Sequence, residues 1–182
     1  MPELPDLEVF SRNLNKKLAG KTLKKVSVPV DKKLNLSTGK LKSSLEKQKL
    51  SEVYREGKEL HFKFINGDIL ALHLMLKGQL YTFEKKNGHK YPIIELLFTD
   101  DTGLALSDYQ KAATPTLNPE EREAPDALSK AVNFNFLKQQ LQTTKTTIKN
   151  LLLDQQVVRG IGNAYADEIL WDAGISPFSI LQ

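Results

Sequence analysis

Apolar residues near the start of the chain recur every three or four positions, which is the spacing of one face of a helix. The stripe consists of Leu7, Phe10, Leu14 and Leu18. Pro5 lies near the start of the stripe and Gly20 follows its end, and these residue types are common at those two positions of helices. The pattern therefore predicts an amphipathic helix that starts near Pro5 and stops before Gly20.

A series of short segments follows in which apolar and polar residues alternate, as in strands with one buried face. The alternating positions are Val26, Val28 and Val30, then Leu60, Phe62 and Phe64, then Leu70, Leu72 and Leu74. Asn66-Gly67 between two of these segments predicts a tight hairpin turn. A further strand is expected over residues 92–98, and residues 99–103 turn the chain into a strand over 104–106. One helix followed by many antiparallel strands indicates a sandwich or a barrel.

The composition changes after Ser107. Prolines with acidic residues between them, at Pro115, Pro119 and Pro125, indicate a surface linker. Helical patterns follow. Phe134, Leu137 and Leu141 form one apolar stripe, and Thr147 can cap a helix from Ile148 to about Gln155. A further helix runs from Asn163 or Ala164 to near Gly174. We therefore expect a domain over residues 1–115, a linker over 116–127 and a helical domain over 128–182.

Composition narrows the class of protein. The chain has 182 residues, of which 40% are hydrophobic and 26% charged, as in globular proteins. It has no cysteine, so it contains neither a disulfide nor a cysteine-ligated zinc ion, and its three histidines lack a metal-ligand spacing. No apolar run is long enough to span a membrane and no signal segment opens the chain, so we expect a cytoplasmic protein.

The charge distribution favours an anionic partner. The net charge is +4, and twelve lysines lie at or before Lys58. A face rich in lysine could meet a phosphate backbone. The alternative is a solvated lysine-rich surface without a specific partner.

The first six residues, Met1-Pro2-Glu3-Leu4-Pro5-Asp6, carry candidate chemistry. If Met1 is removed, Pro2 has a free secondary amine, and such an amine attacks sugar aldehydes to form a cationic iminium. Glu3 and Asp6 lie within one helical turn and could serve as acid and base. The alternative is an ordinary proline at the start of a helix.

A second constellation, Gly160-Ile161-Gly162-Asn163, lies in a short loop that opens onto a helix. Gly160 and Gly162 would let the backbone approach a ligand closely, and exposed N–H groups at a helix N-terminus attract phosphate. Asn163 can donate its amide, and Lys149 and Arg159 add positive charge. The alternative is a tight turn between two helices, which also uses glycine.

Together these constellations resemble the formamidopyrimidine-DNA glycosylase / endonuclease VIII family of base-excision repair enzymes. The similar segments are Pro2-Glu3-Leu4-Pro5, Gly57-Lys58-Glu59-Leu60, His73-Leu74 with Gly78-Gln79-Leu80, residues 124–128, residues 148–155, residues 160–170 and residues 173–177. They cover essentially the whole chain in the right order, and the last three resemble the family's helix–two-turn–helix signature. The resemblance implies an α+β fold, with an N-terminal helix and an antiparallel two-layer β-sandwich followed by a helical (helix–two-turn–helix) domain.

The resemblance also implies roles for individual residues. Pro2 would attack C1′ of a damaged nucleotide, and β- then δ-elimination would nick the strand, with Glu3 assisting ring opening and proton transfer. Asp6 stands where the family usually has glutamate. The implied phosphate contacts are Lys58, which the family places on a strand, Lys149, Asn163 and His89.

The sequence departs from the family where side chains enter the DNA. Leu76 stands at the position of the usual methionine wedge, with Met75 beside it. The family's Asp-x-Arg-Arg/Lys-Phe-Gly stretch corresponds to Asp108-Tyr109-Gln110-Lys111-Ala112-Ala113. Gln110 replaces the arginine that pairs with the orphaned base, and Ala112 replaces an aromatic wedge. We therefore expect altered lesion recognition.

The implied partner is double-stranded DNA with a damaged base or an abasic site. We expect a monomer of this chain to bind it, and we expect a bacterial-type protein that is associated with the nucleoid. Pro2 and Asn163 are expected to face the cleft in which the DNA lies. The family's zinc finger would lie beyond Gln182, so no cofactor is expected within this chain. Two alternatives remain: a catalytically weak or inactive DNA-binding relative, and a basic structural domain without a nucleic-acid role.

Overall fold

The computed structural model describes residues 2–180. The chain divides into two compact units, each described by itself. The β unit comprises Pro2, Asp6–Arg55 and Glu59–Pro119, and the helical unit comprises Glu3–Pro5, Glu56–Lys58 and residues 120–180. The expectations about the removal of Met1 and about a segment after Gln182 lie outside the described residues.

The described residues form five α-helices and eight strands. The helices are α1 Leu4–Leu18, α2 Thr38–Leu45, α3 Phe134–Thr143, α4 Ile148–Leu153 and α5 Asn163–Asp172. The strands are β1 Leu23–Ser27, β2 Leu50–Glu56, β3 Glu59–Phe64, β4 Ile69–His73, β5 Gln79–Glu84, β6 Pro92–Phe98, β7 Thr102–Ser107 and β8 Thr114–Leu117.

The β unit contains two four-stranded sheets, in the orders β1-β6-β7-β5 and β2-β3-β4-β8. The pairs β1–β6, β6–β7, β5–β7, β3–β4 and β4–β8 are antiparallel. Buried residues from both sheets and from α1 and α2 form one hydrophobic core, in which Phe62, Phe64 and Phe98 are the largest side chains. The predicted antiparallel two-layer sandwich with an N-terminal helix is confirmed.

Helix α1 contributes most of its predicted stripe to this core. Leu7, Leu14 and Leu18 are buried, but Phe10 is 36% exposed, so its place in the buried stripe was predicted wrongly. Phe10 instead borders an open cavity described below. Polar contacts with β2 also hold the helix: Arg55 Nε lies 3.0 Å from Glu8 Oε2, and the Val53 amide donates to Asn15 Oδ1.

Three elements differ from the predicted pattern. Strand β1 ends at Ser27, so Val28 and Val30 pack against the core from outside the strand, since Pro29 between them has no N–H for a ladder. Helix α2 and strand β2 were not predicted. Strand β8 pairs Leu117 with Leu70 at the edge of its sheet, so residues 116–117 belong to the sheet rather than to a linker.

The helical unit is built on three capped helices. Asn133 and Thr147 cap α3 and α4 through their side chains, and Gly162 occupies the N-cap position of α5. Helix α4 ends at Leu153, two residues before the predicted end, because Asp154 adopts an extended backbone. Val158, Ile161 and Ala166 form a small buried cluster.

Several lysines of the basic N-terminal region are already paired within the β unit. Lys21 lies 2.6 Å from Asp100, Lys24 lies 3.3 Å from Asp101, and Lys17 donates to Thr82. The Lys21 ammonium and the Thr102 hydroxyl lower the pKa of Asp100 to about 2. The positive charge of this region is therefore partly neutralised.

In the described part of the chain, no helix combines the length and the apolar character that crossing a bilayer requires.

Candidate active site

The Glu3 side chain lies at the N-terminus of α5 in the helical unit. Its carboxylate accepts hydrogen bonds from the backbone N–H groups of Gly162, Ala164 and Tyr165, each at 3.1 Å. Glu3 is only 5% exposed. The first N–H groups of a helix have no intrahelical partner and carry partial positive charge, so they stabilise a carboxylate. A residue 159 positions earlier in the chain thus caps α5.

The two glycines of the loop leave room for residues from the chain start. A Cβ on Gly162 would lie 2.4 Å from Cδ of Glu3, and a Cβ on Gly160 would lie 2.7 Å from Leu4 Cδ1. Gly160 also has a φ of +106°, which other residues rarely adopt. The amides of Gly162, Ala164 and Tyr165 were predicted to hold phosphate, but in this structure they hold Glu3, an internal anion.

Lys58 lies in the two-residue turn between β2 and β3, and the expectation of a strand position was wrong. Gly57 has a φ of +57° and takes the first central position of the hairpin turn, a backbone conformation that favours glycine. The Gly57 N–H donates to Asp126 Oδ2 at 2.9 Å. Lys58 is half-buried. Burial lowers the pKa of its ammonium, and the charge of the Glu3 carboxylate opposes that change.

Two further cations of the helical unit are paired. Arg159 donates to Glu56 Oε1 at 2.7 Å and to the Ala124 carbonyl at 2.6 Å, so its charge is neutralised within the unit and is not available as predicted. Lys149 Nζ lies 2.6 Å from Asp167 Oδ1, in a partly exposed pair. Asn163, the first residue of α5, is exposed.

Pro2 is half-buried in the β unit and borders an open cavity of about 450 Å³. Phe10, Leu74 and Gln79 also line this cavity. Asp6 lies in the first turn of α1 and is exposed. The two predicted carboxylates thus have different surroundings, since Glu3 is buried and hydrogen-bonded to backbone while Asp6 faces solvent.

The loop between β4 and β5 presents one apolar side chain. Leu76 is 57% exposed, whereas Met75 is half-buried and has a φ of +54°. The Gly78 N–H closes the loop on the Leu74 carbonyl at 2.9 Å, and a Cβ at Gly78 would lie 2.2 Å from that oxygen. Of the two wedge candidates, Leu76 is the side chain presented to solvent.

Asp108 organises the loop between β7 and β8. It is 1% exposed, and its carboxylate accepts from the backbone N–H groups of Gln110, Ala112 and Ala113 at 2.7–2.9 Å. Gln110 and Lys111 are exposed at the end of the loop, and Lys111 has a φ of +54°. The side chain of Ala113 packs into the core. Our sequence reasoning named Asp108 only as part of a motif, although an aspartate before a polar turn is a recognisable turn signal.

We predict that Asp108→Ala lowers the free energy of unfolding by about 2 kcal/mol, since three amides lose a charged acceptor. The melting temperature should fall by roughly 4–8 °C for a chain of this size. Asp31→Ala is the matched control because Asp31 is exposed. Thermal unfolding followed by circular dichroism measures both, and equal melting temperatures of the two variants would show that Asp108 does not hold the loop.

His89 is exposed and stacks on Tyr81, with ring centroids 3.8 Å apart and an interplanar angle of 13°. Its backbone N–H donates to Asn87 Oδ1 at 2.9 Å.

Within residues 2–180, no group of three or more His, Cys, Asp or Glu side chains is arranged to hold a metal ion. That this chain works without a cofactor stays a prediction.

Family models match both parts of the chain. The formamidopyrimidine-DNA glycosylase N-terminal domain matches residues 1–114, and the formamidopyrimidine-DNA glycosylase H2TH domain matches residues 124–181. The chain belongs to the formamidopyrimidine-DNA glycosylase family. The resemblance expected from the sequence is therefore confirmed, and the helical unit carries the family's helix–two-turn–helix (H2TH) domain.

Individual members of the family agree with this assignment. The formamidopyrimidine-DNA glycosylase of Lactiplantibacillus plantarum is 33% identical over an alignment of 189 positions, which covers 97% of this chain and 68% of the relative. The enzyme of Mycoplasma genitalium is 32% identical over 193 residues, spanning 100% of this chain and 68% of the relative.

Two solved structures share the fold. The Lactococcus lactis enzyme (Fpg) in complex with DNA containing an abasic site has a TM-score of 0.90 and 25% identity over 99% of this chain and 70% of that one. MutM in complex with DNA containing carbocyclic 8-oxo-G has a TM-score of 0.88 and 26% identity over 98% of this chain and 70% of that one.

Proposed function

We propose that this chain is a bifunctional base-excision DNA glycosylase and abasic-site lyase that uses the Pro2 amine. Its partner is double-stranded DNA with a damaged base or an abasic site, bound by a monomer. The observation that carries the proposal is the Glu3 carboxylate, which three backbone amides hold at the start of the H2TH helix α5. Pro2 is bonded to Glu3, so a fixed Glu3 restricts where the nucleophile lies.

The chemistry starts with the unprotonated Pro2 nitrogen, which attacks C1′ as the bond from C1′ to the base breaks. The base leaves with the bonding electrons and takes up a proton, and the Pro2 nitrogen gives up its own proton. The sugar ring then opens at the C1′–O4′ bond, O4′ takes up a proton, and an iminium cation joins C1′ to Pro2. Loss of a proton from C2′ expels the 3′ phosphate from C3′, and loss of a proton from C4′ then expels the 5′ phosphate from C5′. Both eliminations use the iminium as the electron sink.

Glu3 and Asp6 have different roles in this proposal. Both oxygens of Glu3 already accept hydrogen bonds, an arrangement that suits a negative charge. Its negative charge stabilises the cationic iminium, and we also assign to Glu3 the proton transfers at the sugar. Asp6 is exposed and acts as a general base or acid only when DNA excludes water from it.

Phosphate contacts hold the distorted strand while the damaged base leaves the stack. We assign them to Lys58, Lys149, Asn163 and His89. Lys149 must exchange or share its partner Asp167 to do so. Leu76 enters the vacated space, and Gln110 and Lys111 approach the opposite base.

Borohydride trapping on abasic-site DNA tests the proposal, with protein shown by intact mass to begin at Pro2. The reduced iminium should migrate as a covalent protein–DNA complex, and nicked strands should accumulate without borohydride. Absence of both products, in a sample that binds the same DNA, would overturn the proposal.

A second candidate function is DNA binding without catalysis. The observation that favours it is the loop after Asp108, where Gln110 and Ala112 lack the charge and the bulk that family members use. This candidate predicts salt-sensitive binding, because phosphate contacts release counterions, but no strand cleavage. Efficient nicking of abasic DNA by a small amount of protein would exclude it.

We predict that Lys58→Arg extends DNA binding to higher pH. The pKa of Lys58 is lowered by burial, so its positive charge is lost at a lower pH than that of an ordinary lysine. Arginine stays charged throughout. The measurement is affinity, as a function of pH, for duplex that contains a stable tetrahydrofuran abasic analogue. The pH at which affinity declines should be higher for the variant than for the parent. Lys63→Arg, at an exposed position of β3, is the control. If the affinity of Lys58→Arg declines at the same pH as that of the parent, the assignment is contradicted.

A further inference from the structure

The β unit contains a second cavity, of about 390 Å³, next to the one that Pro2 borders, and Gln79 and Tyr81 line both. Its walls come from the ends of β5 and β7, from the segment before β6 and from the loop that Asp108 organises. The volume lies within the range of small-molecule sites and is sufficient for one nucleotide.

Four aromatic side chains line this cavity. Tyr81 and His89 form the stacked pair described above, and both line the cavity. Tyr91 and Tyr109 line it too and are 56% and 58% exposed. Large aromatic rings exposed around a concave surface are the usual platform on which nucleic-acid-binding proteins stack unpaired bases.

Polar groups of the cavity complement a nucleotide. Lys77 and Lys90, both exposed, line it and supply positive charge for a phosphate. The Ser107 hydroxyl is buried and has no hydrogen-bond partner among the described residues. The one carboxylate of the lining, Asp108, is 1% exposed and accepts from three amides, so it is shielded from an incoming anion.

A backbone hydrogen bond connects the segments that carry Tyr91 and Tyr109. Tyr91 has a φ of +58°, which is rare for a bulky residue and is maintained only where the surroundings fix it. The Asp108 N–H donates to the Tyr91 carbonyl at 3.0 Å, which ties the segment before β6 to the loop that carries Tyr109. Strained backbone of this kind concentrates at binding sites.

We propose that this cavity binds one unpaired nucleotide of DNA, with the base stacked on Tyr109 and its phosphate near Lys77 and Lys90. The inference rests on the proposed function, since it names a further DNA contact of the same protein. It also gives a physical reason for the departures after Asp108. Where Ala112 and Gln110 cannot fill the helix or pair with an orphaned base, an aromatic platform beside them receives that base instead.

The first arm of the test compares binding of two duplexes by fluorescence anisotropy. One duplex is fully paired, and the other carries a tetrahydrofuran residue that leaves one thymine unpaired. Tyr109→Ala should weaken binding of the second duplex about tenfold, and Tyr109→Phe should leave it within about twofold, because stacking needs the ring rather than the hydroxyl. Trp171→Ala, at an aromatic residue that is 85% exposed outside the cavity, is the matched control.

The second arm replaces the unpaired thymine with 5-iododeoxyuridine, which cross-links to an adjacent aromatic ring on irradiation. A cross-link that maps to Tyr91 or Tyr109 supports the proposal. Either of two results overturns the proposal: the parent and Tyr109→Ala bind with equal affinity, or the cross-link is confined to other residues. The proposed function still stands in that case if borohydride trapping proceeds. If the parent protein binds neither duplex, the proposed function and this inference both fail.

Discussion

Gly162→Ala should lower the rate of borohydride trapping on abasic DNA by about 100-fold. The added Cβ would lie 2.4 Å from the Glu3 carboxyl carbon, so Glu3 must leave the amides at the start of α5. A displacement of about 1 Å at a catalytic group is enough for a loss of this size. Single-turnover trapping measures the rate, and Gly39→Ala is the control because a Cβ there meets nothing within 4 Å.

A double-mutant cycle separates this effect from a general loss of stability. If the clash with Glu3 is the cause, adding Gly162→Ala to Glu3→Ala should change the melting temperature little, whereas the single Gly162→Ala change should lower it. Trapping by folded Gly162→Ala at the parental rate would show that the position of Glu3 is irrelevant to the reaction.

One extra residue before Pro2 should reduce trapping to the background level, because the Pro2 nitrogen then belongs to an amide and has no available lone pair. Pro2→Gly should still trap weakly through its primary amine. The measurement is the yield of borohydride-stable complex from each protein, with binding of the tetrahydrofuran duplex as the control for folding. Proteolytic removal of the extra residue should restore trapping, and full trapping by the extended protein would mean that another amine reacts.

Much of the fold could be predicted because its signals are local. Thr147 and Asn163 mark the starts of α4 and α5, and alternating apolar residues mark β3 and β4, although His61 and Ala71 on the other face are buried as well. Helix α2 gave a weak signal, because it contains Gly39 and buries only Leu41 and Leu45. Strand β8 was hidden by Pro115, which is tolerated because β8 lies at the edge of its sheet.

The candidate site could be predicted only in part, because its main contact joins distant parts of the chain. The glycines before α5 correctly indicated that something approaches the backbone closely, but an anion of this chain lies at the helix N-terminus where a phosphate was predicted. No local pattern identified that anion as Glu3. Likewise, the pairing of Arg159 with Glu56 spans 103 positions, so a charge expected to be free is neutralised.

The departures at Gln110 and Ala112 show the limit of a resemblance. Motif comparison identifies them as losses, since each lacks a group that relatives use. Only the structure shows that Asp108 holds this loop with three hydrogen bonds and that Tyr109 is exposed beside it. A substituted motif in this loop is therefore compatible with a different way of contacting DNA.

The most direct test of Pro2 chemistry is to locate the trapped sugar on the protein. After borohydride reduction on abasic DNA, digestion with nuclease and trypsin should give the peptide of residues 2–12 carrying the deoxyribose remnant on the Pro2 nitrogen. Tandem mass spectrometry reads the attachment site. A remnant on Pro2 is the expected result, and a remnant on a lysine side chain, with residues 2–12 unmodified, would contradict it.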